Sequence, residues 1–420
     1  MKKRKLFNAL FIEKKVKKIS IILGPRQVGK TTLLKQLYQT ICKNTPGIYL
    51  DMDILSNFGK VSSYESLVNF LVLEGYSKND TSYFYLFLDE FQRYPGFSKI
   101  LKNIYDNHDN IKVYATGSSS LEIKDEIQES LAGRKNIHYL FPLDFEEFLV
   151  FKEQKEGLNH LKNVNKLEGE EIDTSLLYGL LKEFMIFGGY PEVILTGIEK
   201  KKIKVLESIF DFYVKKDLVE YLNLRKILNV KRLIEVLSVN HGQKIKYEEL
   251  GQICSLKEYE IRNYLEILKE TFLITEVRPY FTNKNKEIVK IPKIYFIDPG
   301  VRNYFLNNFS GLHKRTDSGF LFEGFVLGEF LKAGARPVKY WQDKNKREVD
   351  FIIDHVTRQI PVEVKLKNRL KNNDFLGLKA FLKQYPGTEK SFLVNPGAQH
   401  KESIFNINIT LPYLVGKCIN

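Results

Sequence analysis

One stretch constrains this chain more than any other: Ile19-Ser20-Ile21-Ile22-Leu23-Gly24-Pro25-Arg26-Gln27-Val28-Gly29-Lys30-Thr31-Thr32-Leu33. A β-branched apolar run gives way to a glycine-bracketed turn, and Leu33, Leu34 and Leu37 follow at helical spacing. Gly24, Gly29, Lys30 and Thr31 satisfy G-x-x-x-x-G-K-[ST], with a strand before and a helix after, the context that pattern needs. Glycine lets backbone curl around a phosphate with no side chain in the way. The turn residues Gly24, Pro25, Arg26, Gln27, Val28 and Gly29 then form a cradle with Lys30, Thr31 and Thr32 at the helix start, where amides and the helix terminus face an anion. Lys30 is expected to reach the β- and γ-phosphates, and Thr31 to place its hydroxyl on Mg²⁺.

Two to four domains fit 420 residues on a prior of about 150 each. A hydrophobic share of 43% is that of a globular chain. Lys+Arg 65 against Asp+Glu 51 leaves +14, which suits nucleic acid or an anionic membrane surface as partner. A lysine-rich proteome would give the same excess. Cys42, Cys254 and Cys418 are far apart with no CxxC spacing, which fits a reduced compartment and excludes a structural zinc site. The basic N-terminus is followed by Lys14, Lys15, Lys17 and Lys18, so no signal-peptide apolar region forms. No run approaches the ~18 apolar residues of a membrane span. The expectation is a soluble, cytoplasmic protein.

Residues 48–51 read as a second strand and 83–88 as another, ending in Asp89-Glu90. Continuous apolar character marks strands buried on both faces, as in a parallel sheet, and ligands bind at the carboxyl ends of such strands. Asp89 is expected to hold Mg²⁺ through water, and Glu90 to polarise the attacking water as general base. Residues 111–115 form a further strand running into Thr116-Gly117-Ser118-Ser119-Ser120. Those hydroxyls, Thr116 first, suit a γ-phosphate sensor, and the serines suit a helix N-cap equally well. No N/T-K-x-D run points to guanine, so ATP is the expected nucleotide.

Gly24-Pro25-Arg26-Gln27-Val28-Gly29-Lys30-Thr31-Thr32, Leu88-Asp89-Glu90-Phe91-Gln92 and Thr116-Gly117-Ser118-Ser119 resemble the motifs of one prokaryotic AAA+-type ATPase family. Leu131-Ala132-Gly133-Arg134, Phe141-Pro142-Leu143, Phe145-Glu146-Glu147-Phe148 and Gly188-Gly189-Tyr190-Pro191-Glu192 follow in the same order. The C-terminal half of that family is a domain of unknown function. The resemblance implies that Arg134 is a phosphate sensor or finger; from the residues alone it is an arginine after a glycine, free to reach a nucleotide or to lie on the surface.

Residues 152–175 are rich in Lys, Glu and Asn and read as a solvated insertion or charged helix pair. A helical stripe from 176 to 187, stopped by Gly188-Gly189-Tyr190-Pro191, reads as a lid. Helical pattern continues at 209–214 and 218–222. Residues 247–277 and 290–296 suggest a winged helix-turn-helix: a short helix over 248–254, a second helix capped by Ser255 with Glu258 as its capping box, then two wing strands. The recognition helix would carry Lys257, Tyr259, Arg262 and Asn263. Glu258, Glu260 and Glu266 balance its cations, which favours a packing or lever role over phosphate contact.

Toward the C-terminus, Lys293-Ile294-Tyr295-Phe296-Ile297-Asp298-Pro299-Gly300 leads into a helix over 320–333 carrying Glu323, then a strand at 338–342. Arg347-Glu348-Val349-Asp350-Phe351 and Ile360-Pro361-Val362-Glu363-Val364-Lys365 follow. A hairpin through 355–359 would bring Asp350 beside Glu363 and Lys365, which share one side of their strand. Glu323, Asp350 and Glu363 are candidate Mg²⁺ ligands, and Lys365 would position or deprotonate the attacking water. The set resembles the PD-(D/E)xK nuclease superfamily, with Asp350, Glu363 and Lys365 as its catalytic residues. Gly324 stands where that family often has Asn.

The expected architecture is α/β: a P-loop parallel-sheet ATPase domain (1–165), a helical lid (166–205), a winged helix (206–290) and an α/β restriction-nuclease-like domain (291–420). Catalytic candidates in the first domain are Lys30, Glu90 and Arg134. ATP and Mg²⁺ are the expected cofactors, and nucleic acid, a protein partner or further copies of the chain the expected partners. Two functions compete: an ATP-driven enzyme acting on nucleic acid, and a nucleotide switch controlling a protein partner through an inert nuclease-like module.

Overall fold

The computed structural model describes residues 2–118, 129–164, 175–213, 227–283, 285, 287, 290–355, 358–397 and 403–418. The expectations for Ser119 and Ser120, for a helix at 218–222 and for 166–174 fall outside these. The chain divides into two compact units, residues 1–141 with 270–272, and residues 142–269 with 273–420.

In the first unit, β1 (Ile19–Gly24), β2 (Gly47–Asp51), β3 (Phe84–Asp89), β4 (Ile111–Ser118) and β5 (Lys135–Tyr139) form a sheet in the order β2-β3-β4-β1-β5. Every pair in it is parallel. Both faces are covered, as the unbroken apolar strands require. Ile19, Ile21, Leu23, Leu86 and Leu88 join Phe97 and Leu101 in one core. On the other side Phe87 stacks on Tyr114 at 5.1 Å, and Tyr38, from the helix Lys30–Ile41, meets Phe87 edge-on at 5.5 Å. Because the strands run parallel, Gly24, Asp51, Asp89 and Ser118 end at one edge of the sheet.

The second unit opens with helices at Phe145–Phe151, Lys155–Val164, Ser175–Phe187, Pro191–Leu195 and Glu199–Tyr213. The stripe at 175–187 stops at Gly188, whose φ is +79°. Only glycine fits there: a Cβ would fall 2.0 Å from Asp298 Oδ1. Asp298 accepts the Gly189 amide at 2.7 Å and the Val301 amide at 3.1 Å, so Gly188-Gly189 and Asp298-Pro299-Gly300 lock onto each other.

Helices Ile227–Val239, Tyr247–Cys254 and Glu258–Glu270 precede β6 (Ile274–Pro279) and β7 (Lys293–Phe296), which pair antiparallel. Ser255 does not cap the helix after it. It closes the helix before it in a left-handed conformation (φ +55°), with the Leu256 amide returning to Gly251 O at 2.9 Å. Two residues later Glu260 accepts the Lys257 amide at 3.0 Å, so a glutamate still serves the start of the second helix.

Strand β6 runs on to pair with β8 (Val338–Gln342), and the rest of the sheet adds β9 (Glu348–Asp354), β10 (Gln359–Val364), β11 (Phe392–Val394), β12 (Ser403–Ile404) and β13 (Ile407–Thr410). Their order is β12-β13-β11-β10-β9-β8-β6-β7. β9 and β10 pair antiparallel with Val362 opposite Phe351, which sets Glu363 beside Asp350. The helix Ser318–Lys332 is buried along most of its length. No helix among the described residues is long and apolar enough to cross a membrane, and the three cysteines are free.

Candidate functional site

The P-loop joins β1 to the helix Lys30–Ile41, and its two glycines serve different ends. Gly29 takes φ +94°, a backbone that side chains resist. Gly24 is required by crowding instead, since a Cβ there would lie 2.1 Å from the Leu140 carbonyl. Gln27 is also left-handed, at φ +59°. Lys30 is buried at 5% exposure, and its ammonium donates to Gly24 O and Pro25 O, each at 2.9 Å. Thr31 is half-buried and Thr32 exposed.

Asp89 and Glu90 end β3 at the same edge of the sheet as Gly24. Asp89 is buried, and both its oxygens are engaged: Tyr49 OH donates to Oδ2 at 2.6 Å and the Thr116 hydroxyl donates to Oδ1. Thr116 Oγ1 also accepts the Glu90 amide at 3.1 Å, so one hydroxyl links the two acids. Glu90 adopts φ +52°, turning the chain out of the strand, and Gln92 Nε2 donates to its Oε2. Burial and then Asp89 hold the Tyr49 phenol well above its ordinary pKa, so it remains a donor. A magnesium ion fits this donor set: hard oxygens from Thr31 and a fixed Asp89 carboxylate.

Arg4 escaped the sequence reading, which took it only as part of a basic N-terminus. It is buried, donating to Val28 O inside the P-loop at 2.7 Å and to Phe141 O at 2.8 Å. The structure does not bring Arg134 to the P-loop. Its carbonyl accepts the Ile19 amide at the start of β1, so it sits at the opposite end of the sheet from Gly24. Six strand residues separate those ends, about 16 Å. The Arg134 side chain makes a two-pronged ion pair with Asp106 at 2.6 and 3.0 Å.

In the second unit, Glu323, Asp350, Glu363 and Lys365 do come together. Asp350 Oδ2 accepts the Val364 amide at 2.8 Å. The Lys365 ammonium bonds Glu363 Oε1 and lies 3.9 Å from Asp350 Oδ2, between the two carboxylates. Glu363 is 5% exposed, and its Oε2 has no hydrogen-bond partner. Glu323 accepts Tyr295 OH at 3.1 Å. Burial, then the charge of Asp350, pushes the Glu323 carboxyl up to about 8 and raises Glu363 as well. Burial opposes the Lys365 charge, yet Asp350 and Glu363 together hold that ammonium above its ordinary value.

The three carboxylates expected as metal ligands lie in one cluster but do not form a three-ligand metal set. Among the described residues no group of three or more His, Cys, Asp or Glu side chains is arranged to hold a metal. Glu323 is spent on Tyr295. Asp350 and Glu363, with an unpartnered oxygen between them, suit a magnesium ion of the kind that takes one or two carboxylates and completes its shell with water and substrate phosphate.

Residues 16–149 match the AAA domain, residues 178–311 a domain of unknown function (DUF8612) and residues 318–414 another (DUF4143). An uncharacterized protein of Methanocaldococcus jannaschii is 31% identical over 347 residues, 80% of this chain and 72% of the relative. One from Haemophilus influenzae is 25% identical over 358 residues, 82% of each chain. Among solved structures, the Aeropyrum pernix ORC2 protein in its ADP form aligns over 73% of this chain and 93% of its own, at 14% identity and a TM-score of 0.32. The chain belongs to the family of the Methanocaldococcus jannaschii protein, AAA-type ATPase chains that end in a domain of unknown function.

Proposed function

We propose that this chain is a magnesium-dependent ATPase that couples ATP turnover to the binding or processing of nucleic acid. One observation carries the first half: Lys30 follows the P-loop at the sheet edge where Asp89, Glu90 and Thr116 also lie, with Asp89 and Glu90 tied through one hydroxyl. Bound magnesium, held by Thr31 and through water by Asp89, would offset phosphate charge. The chain's own groups do the rest. The loop amides and Lys30 bind and orient the triphosphate, Gln92 steadies the Glu90 carboxylate, and Glu90 takes the proton of the attacking water.

The second half rests on the C-terminal unit. The helices over 227–270 and the β6–β7 hairpin support the winged-helix reading. Its Arg262 is paired with Glu258 at 2.6 Å and lies over the Tyr247 ring, which favours a packing or lever role. The antiparallel β9–β10 pair, with Asp350, Glu363, Lys365 and the helical Glu323, supports a PD-(D/E)xK-like reading of the last domain, with a phosphodiester as substrate. The Arg262–Glu258 pairing equally favours the competing switch, in which ATP alters a protein interface and the last domain is inert. A cytoplasmic setting suits either.

Steady-state ATPase with and without DNA separates them. Stimulation by DNA supports coupling. No stimulation, with DNA left intact under Mg²⁺ and Mn²⁺ by both wild type and an Asp350→Ala control, removes nucleic acid from the account and leaves the ATPase.

A further inference from the structure

Tyr49 belongs to none of the sequence motifs, yet it bears on both elements that carry the candidate magnesium ligands of the first unit. It lies on β2, the edge strand of the sheet, in register with Phe87 of β3. Residues in register point to one face, and Asp89 stands two residues beyond Phe87, so Tyr49, Phe87 and Asp89 share that face. The Tyr49 hydroxyl reaches forward along the strands and donates to Asp89 Oδ2 at 2.6 Å, the length of an O–H bond to an ionised acceptor.

The ring of Tyr49 is seated on the P-loop helix. Tyr38 approaches it at 5.9 Å with the planes tilted by 51°, and the Lys35 ammonium lies 5.5 Å from its centre. Thr31, Lys35 and Tyr38 follow one another at i, i+4 and i+7, so they line one face of that helix. Thr31 opens the face, and the next two turns hold the tyrosine. One side chain thus grips Asp89 by a hydrogen bond and the helix of Thr31 by packing.

The partners that stand behind a metal ligand orient it, and metal affinity depends on them. Thr116 also holds Asp89, at Oδ1, but its other bond is to the Glu90 amide, so it fixes the two acids to each other. Tyr49 fixes Asp89 to the helix on the other side of the magnesium site.

We infer that Tyr49 is a positioning residue for the magnesium ion of the nucleotide site: it sets the spacing between Asp89 and Thr31, and so favours magnesium-bound over metal-free ATP. This rests on reading Asp89 and Thr31 as the magnesium-bearing pair. The test measures binding of a fluorescent ATP analogue to the full chain in Mg²⁺ and in EDTA, and takes the ratio of the two affinities. Tyr49→Phe keeps the ring and its packing and removes only the hydroxyl. Its ratio is expected to fall about tenfold, the low end for loss of a partner behind a metal ligand, with the affinity in EDTA unchanged. Thr116→Val takes a donor from the same acid but leaves the spacing to the helix, so its ratio should fall less. A wild-type ratio in Tyr49→Phe overturns the assignment, because a hydroxyl that only satisfied a buried acid would leave the ratio alone. An equal fall in both variants overturns it too, and makes Tyr49 one of two interchangeable donors. If Tyr49→Phe does not fold, Tyr38→Leu, which keeps the hydroxyl but removes the ring that seats it, decides: a lower ratio supports the assignment and a wild-type ratio overturns it. A wild type that binds the analogue no better in Mg²⁺ than in EDTA sinks the magnesium reading of Asp89 and Thr31, and the inference with it.

Discussion

The Arg4 guanidinium donates to the Val28 carbonyl at 2.7 Å, so a residue 24 positions upstream braces the phosphate loop from behind. The same side chain holds Phe141 O, at the end of the first unit's long segment. A buried guanidinium with carbonyl partners fixes the loop in one shape before nucleotide arrives. Arg4→Met should therefore reduce ATP affinity about tenfold while leaving Lys30 in place, since it strands buried carbonyls worth about 1–3 kcal/mol. Calorimetric titration with ATP measures it, and wild-type affinity in the variant would end the bracing account.

At the other side of the site, the Thr116 hydroxyl serves Asp89 and Glu90 at once. Lys30→Ala should abolish ATP binding. Glu90→Gln should bind ATP normally and turn over at least about 100-fold more slowly, the loss expected of a general base. Thr116→Val keeps the shape but removes the link, and should lower kcat while changing affinity little. Single-turnover hydrolysis beside equilibrium binding separates these effects. Wild-type turnover in Glu90→Gln would remove it as the base.

The contrast between Lys30 and Arg4 shows what a sequence can carry. The positions of Asp89 and Glu90 were legible because they stand at the end of β3, and that of Lys30 because a six-residue step from the end of β1 to the start of a helix is itself the local pattern. Arg4 and Tyr49 were not, since their roles depend on contacts spanning 24 and 40 positions. The same limit explains Arg134, whose motif was visible but whose end of the sheet was not: β5 was missing from the sequence reading, and it is β5 that sets Arg134 beside Ile19. In the second unit, alternation along β10 placed Glu363 and Lys365, and the hairpin brought Asp350 to them. Ser255 was misread because capping residues also end helices in the left-handed region, and only the Leu256–Gly251 hydrogen bond tells the two apart.

Arg134, set against Asp106 at the far end of β1, should not touch the nucleotide of its own chain. Arg134→Ala is expected to bind ATP with wild-type affinity at high dilution and to change stability little, as solvent-screened surface ion pairs do. If copies of the chain complete one another's sites, wild-type specific activity rises with protein concentration and that of Arg134→Ala does not. A loss of ATP affinity in the dilute variant would contradict its placement.

Lys112 provides a pH test of the first unit's core. It is fully buried, with its ammonium donating to Lys18 O at 2.5 Å and Ser20 Oγ at 2.8 Å. Burial pushes it down from 10.5 to about 8, and Glu13 offsets only part of that. Between those two values the unfolded chain holds a proton that the folded chain has released, so stability rises with pH across this window. Below about pH 8 both states are protonated, and the full penalty of about 3 kcal/mol is present. Lys112→Met removes the titration. The wild-type unfolding free energy minus that of Lys112→Met should therefore climb by about 2 kcal/mol from pH 7.5 to pH 10, because the variant cancels every other group that titrates there. Urea denaturation of both proteins at the two pH values measures the difference. A flat difference would mean that the Lys18 and Ser20 hydrogen bonds repay the burial of the charge in full, and that Lys112 is an ordinary lysine in the folded state.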